Sequence, residues 1–271
     1  MRYLAPAKLN LFLHVIGRRD DGFHNLETVF QLVGLHDEVF IVPRDDGRIL
    51  RDPPPEDALL AELADDNDLT VRAARLLQQA SGTSLGASVH VRKRIPAGGG
   101  LGGGSSDAAC VLRALNELWN LNWPVSRLAQ LGLALGSDVP VFVHGHNAFA
   151  SGRGEVLTPV ELPDRWFLIV HPGISVATAA VFAAPDLTRD TPPLTIRALP
   201  PDGGRNDCEP VVRQRYPQVA QVLDQLAPLG ARLTGTGACV FTAFEERAAA
   251  EEAARTLAPQ WRSFVVRGLR Q

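Results

Sequence analysis

The sequence predicts an α+β protein built as two domains, and three features predict it. Short apolar runs of strand length, such as residues 9–16, 26–33 and 264–267, are mixed with stretches of helical spacing. In the C-terminal block the mixture lacks the regular repeat of a barrel. The 271 residues, 45% of them hydrophobic, suffice for one large core or two modest ones. Residues 159–165, with Pro159 and Pro163, read as a linker between two.

Residues 9–16 are rich in Leu, Phe, Val and Ile and read as a strand. Residues 18–24 form a polar turn around Asp20-Asp21-Gly22, and residues 26–33 and 38–42 read as further strands. Residues 45–57 are polar and proline-rich, a loop or hairpin edge. Leu69, Ala73, Leu76 and Leu77 give 69–79 a helical spacing. Val89, Val91, Lys93 and Ile95 alternate as in a strand. That parity puts Lys93 beside Val89 and Val91, where a lysine needs an anionic or aromatic neighbour, or a stem that snorkels outward. Residues 107–119 carry Ala108, Val111, Leu112, Leu115, Leu118 and Trp119 on one helical face, with Ser105 or Ser106 available as a cap. A second helix at 128–135 is broken by Gly136-Ser137-Asp138-Val139-Pro140. Residues 140–149 are apolar, with His144 and His146 two apart, and predict a strand or strand pair. Beyond the linker, 165–170 reads as a strand, 178–182 as the start of a helix and 186–204 as an irregular proline-rich stretch. Residues 219–226 are helical, 233–238 turn into a strand at 239–244, 245–258 form an alanine-glutamate helix and 264–267 a last strand.

A net charge of -3 gives no electrostatic reason to expect nucleic acid as a partner, and Arg92-Lys93-Arg94 alone reads as a solvated face. Cys110, Cys208 and Cys239 are far apart and lack CxxC spacing, which argues against structural zinc and a disulfide framework and suits a reducing compartment. Lys8 and Asn10 interrupt the early apolar run, so no signal peptide is expected, and no run of 18 apolar residues predicts a membrane span. A cytoplasmic location follows by default.

The densest signal is Pro96-Ala97-Gly98-Gly99-Gly100-Leu101-Gly102-Gly103-Gly104-Ser105-Ser106, in which six of eleven residues are glycine. Glycine is costly in conformational entropy. A loop that wraps a triphosphate has a use for it, because backbone N–H groups then approach phosphate oxygens without Cβ interference. The following helix adds unpaired N–H groups and the positive end of its dipole. Ser105 and Ser106 add hydroxyls able to bond phosphate or reach a magnesium ion. A Walker A loop needs Gly-Lys-Ser/Thr and has no lysine here. A dinucleotide fingerprint lacks its acidic residue about twenty positions on.

Single residues say less by themselves. Lys8, preceded by Ala5-Pro6-Ala7, borders a polar cavity or is an ordinary surface lysine, and position alone favours the latter. Asp138 reads as a turn or helix-cap aspartate. His24 donates to a ligand or finishes a turn. His144 and His146 lack a third partner and read as structural rather than metal-binding. Residues 233–238 are either a second glycine loop or a tight turn.

Taken together these segments resemble the GHMP small-molecule kinases. Ala5-Pro6-Ala7-Lys8-Leu9-Asn10-Leu11 resembles the first family motif, residues 96–106 the second and Leu233-Thr234-Gly235-Thr236-Gly237-Ala238-Cys239-Val240-Phe241 the third. Asp20-Asp21-Gly22-Phe23-His24, Gly136-Ser137-Asp138-Val139-Pro140-Val141-Phe142 and Asn206-Asp207-Cys208-Glu209 are further matches, and the Gly-Phe-His segment, the Asp138 segment and the full third motif narrow the likeness to members acting on a diphosphocytidyl alcohol of isoprenoid biosynthesis. The resemblance implies a two-domain α+β GHMP kinase fold: an ATP-binding domain at 1–158, similar to the second domain of ribosomal protein S5, and a C-terminal domain at 159–271. It implies Lys8 and Asp138 as catalytic residues. ATP would be bound by Lys93, Pro96, Ala97, Gly98, Gly99, Gly100, Leu101, Gly102, Gly103, Gly104, Ser105 and Ser106, and the substrate by Asn10, Phe23, His24 and Thr178. ATP as co-substrate, Mg2+ and a small molecule carrying a cytidine diphosphate group are the implied ligands, with neither nucleic acid nor membrane as partner. Two positions depart from the pattern: Phe23 stands where tyrosine is common, and Asn67-Asp68-Leu69 where Asp-Asn-Leu is common. The rival readings are a GHMP kinase for mevalonate-like, homoserine-like or sugar alcohols, and a non-catalytic nucleotide- or RNA-binding module.

Overall fold

Strands β1, Arg2–Arg18, and β2, His24–Arg44, open the fold and pair with each other. The computed structural model describes residues 1–52, 67–194 and 204–270. The chain divides into two compact units: Met1–Ala7, His36–Ile95 and Gly102–Gly145 form one, and Lys8–Leu35, Pro96–Leu101 and His146–Gln271 the other. They interleave along the chain because β1 and β2 each pass through both. The two strands predicted at 26–33 and 38–42 are parts of the single strand β2. Asp37, which interrupts the apolar pattern between them, is fully buried inside that strand.

In the first unit, the C-terminal part of β2 pairs antiparallel with β4, Gly86–Arg92, matching Val39 to Val91 and Ile41 to Val89. β3, Ile49–Arg51, lies parallel to β4, so part of the expected 45–57 loop is a strand; its residues 53–57 fall outside the described residues. β4 ends at Arg92, before Lys93, so the predicted alternation does not reach the lysine. The amides of Arg94 and Ile95 donate to the Asp37 carboxylate in place of a ladder partner. Helix α1, Leu69–Ser81, starts where the Asp68 carboxylate accepts from the Thr70 amide at 2.8 Å, and stops at Gly82 in the left-handed region. It buries Val71, Ala73, Ala74 and Leu77 and packs on α2, Gly103–Leu118, which buries Ala108, Val111, Leu112 and Leu115. α2 begins four residues before the predicted start, and neither Ser105 nor Ser106 caps it. Gly102, at φ 72°, stands at the cap position, which leaves both serines inside the helix.

Helices α3, Val125–Gly132, and α4, Val139–His144, complete this unit. The strand predicted over 140–149 is therefore a helical turn followed by a short strand. Pro140 sits in the first turn, where a missing N–H costs nothing, and Gly145 at φ 75° ends it. His144 and His146 consequently share no strand face.

In the second unit, the N-terminal part of β2 pairs antiparallel with β5, Ala148–Ser151, which pairs with β6, Val156–Pro159. A separate antiparallel sheet runs in the order β10, Arg262–Arg267; β7, Trp166–His171; β9, Val240–Phe244; and β8, Arg232–Leu233. Helices α5, Thr178–Phe182, α6, Glu209–Arg215, α7, Pro217–Leu226, and α8, Arg247–Arg255, accompany it. Leu168, Val170, Val212, Val222, Leu226 and Val240 share its core. Helix α6 was not anticipated: it is two turns long and shows only Val211 and Val212 as its buried face. Of the stretch read as irregular, residues 195–203 lie outside the described residues. No helix among the described residues is long and apolar enough to cross a membrane.

Candidate active site

The first half of the glycine segment, Pro96–Leu101, belongs to the second unit, where it is bonded to the third motif. The Gly98 carbonyl accepts from Ala238 at 3.0 Å and Val176 at 3.3 Å, and the Gly99 carbonyl accepts from Cys239 at 3.1 Å. A Cβ on Gly98 would lie 2.6 Å from Ser175 Cβ, and one on Gly100 would lie 2.2 Å from the Thr234 carbonyl oxygen. The turn at 233–238 is thus a bracket for this half of the segment. Asn206 secures the bracket, donating from Nδ2 to the carbonyls of Leu233 and Gly235 at 2.9 and 2.8 Å.

Lys8 is not a surface lysine. It is 3% exposed, its amide donates to the Leu101 carbonyl at 3.0 Å and its Nζ donates to Asn10 Oδ1 at 2.6 Å. The same ammonium stands 5.3 Å from the centroid of the Phe30 ring, a cation–π distance. Asn10 is fixed in turn: its amide donates to Thr234 Oγ1 at 2.9 Å and its Nδ2 to Thr28 Oγ1 at 3.0 Å. Asn10 Oδ1 is therefore an acceptor with a set orientation, and it holds the lysine head in one place. Thr178, at the start of α5, shares a 2.9 Å hydroxyl–hydroxyl bond with Thr236 of the third motif.

Phe23 and His24 lie at the start of β2 in very different surroundings. Phe23 is 50% exposed, with the Arg153 guanidinium 4.6 Å from its ring centroid. His24 is buried, stacks on Phe182 at 5.1 Å and accepts from Arg189 Nε at 3.1 Å. Burial, then the charges of Arg189 and Arg18, hold the imidazole below its ordinary pKa and favour the neutral ring.

The second half of the segment, from Gly102, belongs to the first unit and starts α2 with no side-chain cap. The first-turn amides of a helix lack intrahelical partners, so this end is suited to an anion. The Ser106 hydroxyl is 1% exposed and has no hydrogen-bond partner among the described residues. Close by, Lys93 Nζ donates to Asp107 Oδ2 at 2.6 Å and is also paired with Asp37 Oδ2. The anionic neighbour that its position called for is thus a pair of carboxylates. Two buried carboxylates share one ammonium, so the cluster favours an extra proton. Burial, with Asp37 adding to it against the opposing charge of Lys93, raises Asp107 to about 7. Burial alone would lower Lys93, but Asp107 and Asp37 outweigh it and raise its pKa. Asp138 is half-buried at the N-cap position of α4, where its side chain makes no capping bond. Among the described residues no group of three or more His, Cys, Asp and Glu is placed to hold a metal ion.

Three contributors are not among the residues singled out from sequence: Asp37, Phe182 and Arg189. The adjacent acids Asp37 and Glu38 inside an apolar pattern were the available signal for the first. Arg189 lay in a stretch without periodicity and left no local signal.

Residues 68–146 match the model of the GHMP kinases N terminal domain, and residues 196–262 match that of the GHMP kinases C terminal domain. The chain is 54% identical, over 98% of its length and 90% of the relative's, to a protein of Alkalilimnicola ehrlichii named 4-diphosphocytidyl-2-C-methyl-D-erythritol kinase. A protein of the same name from Thiobacillus denitrificans is 52% identical over 98% of this chain and 94% of its own. Among solved structures, a 4-(cytidine 5'-diphospho)-2C-methyl-D-erythritol kinase superposes with a TM-score of 0.82 at 34% identity, covering 99% of this chain and all of the other. The mevalonate kinase of Methanococcus jannaschii, at 15% identity and a TM-score of 0.74 over 100% of this chain and 98% of its own, shares the fold.

Proposed function

This chain belongs to the 4-diphosphocytidyl-2-C-methyl-D-erythritol kinase family of the GHMP kinases, and we propose that it transfers the γ-phosphoryl group of ATP to the 2-hydroxyl of 4-diphosphocytidyl-2-C-methyl-D-erythritol. The observation that carries this reading is 54% identity over 98% of the chain to a relative of that name. The uncapped start of α2 and the fixed head of Lys8 support it. We assign the family's two domains to 1–158 and 159–271 and the enzyme to the cytoplasm, a reducing compartment that suits its three free cysteines.

In the proposed step, Asp138 accepts the proton of the 2-hydroxyl, whose oxygen forms a bond to the γ-phosphorus as the bond to the β–γ bridging oxygen breaks and ADP leaves. Lys8 offsets the negative charge that develops on the transferring group. Main-chain N–H groups of residues 96–106 bind the ATP phosphates. Lys93 spends two of its three ammonium donors on Asp37 and Asp107, which leaves one for the adenine side. On the substrate side, Phe23 and His24 hold the cytosine base, and Asn10 and Thr178 the remainder. This remote hold fixes the reacting hydroxyl through binding energy spent away from phosphorus. The Ser106 hydroxyl, buried and without a hydrogen-bond partner among the described residues, would suit a magnesium ion, with Ser105 beside it in sequence. When bound, Mg2+ neutralises triphosphate charge.

A panel of alcohols with coupled ADP detection, followed by 31P NMR of the product, tests the assignment. Turnover of the cytidylyl alcohol with phosphate on C2 is expected, and turnover of a mevalonate-like, homoserine-like or sugar alcohol alone would refute it. Asp138→Asn should lower kcat by about 10²–10⁴-fold with ATP binding little changed. An Asp138→Asn enzyme that turns over at the normal rate removes Asp138 from the proton-accepting role.

A further inference from the structure

We propose that Arg189 is a positioning residue for nucleobase recognition: it fixes His24 as the neutral tautomer protonated on Nδ1, so that the ring offers a ligand a hydrogen-bond donor and no acceptor. The inference rests on the reading above in placing His24 against the cytosine base. The geometry that supports it lies wholly within the second unit.

Each nitrogen of the Arg189 guanidinium donates at least one hydrogen bond. Nε donates to His24 Nε2 at 3.1 Å, Nη1 to the Leu187 carbonyl at 3.0 Å, and Nη2 to the carbonyls of Phe182 and Ala184 at 2.9 and 2.6 Å. A guanidinium has donors only and keeps its charge in proteins. His24 Nε2 must then be the acceptor and carry no hydrogen. A neutral imidazole with a bare Nε2 carries its hydrogen on Nδ1. An imidazolium would set N–H against N–H at 3.1 Å and add a third positive charge to those of Arg189 and Arg18. The ring plane is fixed by the same residue. Phe182 lies nearly parallel to His24, at 24° between planes, and its carbonyl is one of the acceptors that Arg189 engages. One side chain therefore sets the tautomer of the imidazole and the place of the aromatic beneath it.

A donor-only ring has a chemical consequence. Neutral cytosine presents adjacent acceptors at O2 and N3, whereas uracil carries a hydrogen on N3. An Nδ1–H group complements the first edge and opposes an N3–H of the second. The tautomer set by Arg189 thus favours a cytidylyl over a uridylyl substrate.

The test begins with wild-type protein labelled with 15N at histidine, with His24 assigned by its loss in His24→Gln. The ring nitrogens should show a protonated Nδ1 and a bare Nε2 at neutral pH. A protonated Nε2, or an imidazolium, overturns the proposal whatever the activity. Arg189→Gln, whose amide can donate or accept, should raise the KM for the cytidylyl substrate at least about tenfold and narrow the preference for the cytidylyl over the uridylyl analogue, with kcat and the KM for ATP near wild type. Arg189→Lys, again donor-only, should restore the base preference. Losses in Arg189→Gln that fall equally on ATP and substrate, or a base preference unchanged in it, overturn the positioning role. Nδ1–H at His24 in an enzyme inactive on the cytidylyl alcohol would sink the proposed substrate, and the base preference with it. Nε2–H with full activity on that alcohol would sink the role of Arg189 alone.

Discussion

The two halves of the glycine segment use the same residue for different reasons. In Pro96–Leu101 the glycines are crowded by the protein. Added Cβ atoms would meet Ser175 Cβ at 2.6 Å, Cys239 Sγ at 2.7 Å and the Thr234 carbonyl oxygen at 2.2 Å, from Gly98, Gly99 and Gly100 in turn. Two of the three also sit at positive φ. From Gly102 onward the demands are milder. Gly103 would meet side-chain atoms of Ile95 at 3.1 Å and Gly104 the Leu69 Cδ1 at 3.3 Å, both of which can give by a few tenths of an ångström. Gly102 answers to its φ of 72°. A run that reads as one phosphate loop is thus a packed anchor followed by an open helix start. Freedom from Cβ interference with phosphate, the reason the sequence suggested for all six glycines, is not needed to explain the first three.

Gly100→Ala should break the anchor. Its Cβ would have to fit 2.2 Å from a backbone oxygen at φ 75°, and neither neighbour is a flexible side chain. A loss of more than about 3 kcal/mol in denaturant unfolding is expected, the range reserved for strained backbone with a steric clash. A Gly100→Ala protein as stable as wild type would erase the distinction between the halves. Gly102→Ala would put a side chain at φ 72°, a left-handed conformation that costs about 1–2 kcal/mol. Its larger effect should appear in the KM for ATP. The same unfolding experiment and initial rates on both variants give the comparison directly.

Ser106→Ala sharpens the other half. Its hydroxyl is buried without a hydrogen-bond partner among the described residues, so removing it leaves no new orphan in the protein. Unfolding stability should stay within about 0.5 kcal/mol of wild type. If the hydroxyl serves the triphosphate or its magnesium, kcat/KM for ATP should fall about 10- to 100-fold, the worth of one hydrogen bond to a charged group. A loss of stability with normal kinetics would return Ser106 to the core.

Much of this was legible in sequence where the causes are local. The helix at 178–182 is where the sequence reading began one, and the helical spacing of Leu69, Ala73, Leu76 and Leu77 marked α1, though not its Asp68 cap. The glycine segment announced a special backbone, though not which atoms required it. What escaped depends on partners far along the chain. β2 was read as two strands, with Asp37 in the gap between them. Its carboxylate is satisfied inside the strand by the amides of residues 57 and 58 positions later. Lys8 looked exposed because nothing nearby in sequence shows that Asn10 is locked by Thr234, 224 residues on. Arg189 acts on a histidine 165 residues before it and on backbone carbonyls, which carry no side-chain signature. The misread stretch 140–149 failed differently. A proline in the first turn made a short apolar helix look like a strand.

The remaining effect concerns charge, the contribution that the helix start has and the anchor lacks. Lys93 binds Asp37 and Asp107 beside α2, and burial raises Asp107 to about 7 from an ordinary value of 3.8. A carboxyl raised in the folded state takes up its proton more readily there than in the unfolded chain. Its favourable contribution is therefore complete below the ordinary value and is lost as pH rises through about 7. Asp107→Asn keeps the shape, removes the titration and leaves Lys93 with Asp37 as a neutral pair. Denaturant unfolding between about pH 5 and about pH 8 should show wild type losing stability relative to this variant as pH rises. Gly100→Ala, by contrast, should show a deficit that does not depend on pH, because its cause is steric. Parallel curves for wild type and Asp107→Asn would mean that the ammonium of Lys93 compensates both carboxylates in full, and the helix start would then be held by packing as the anchor is.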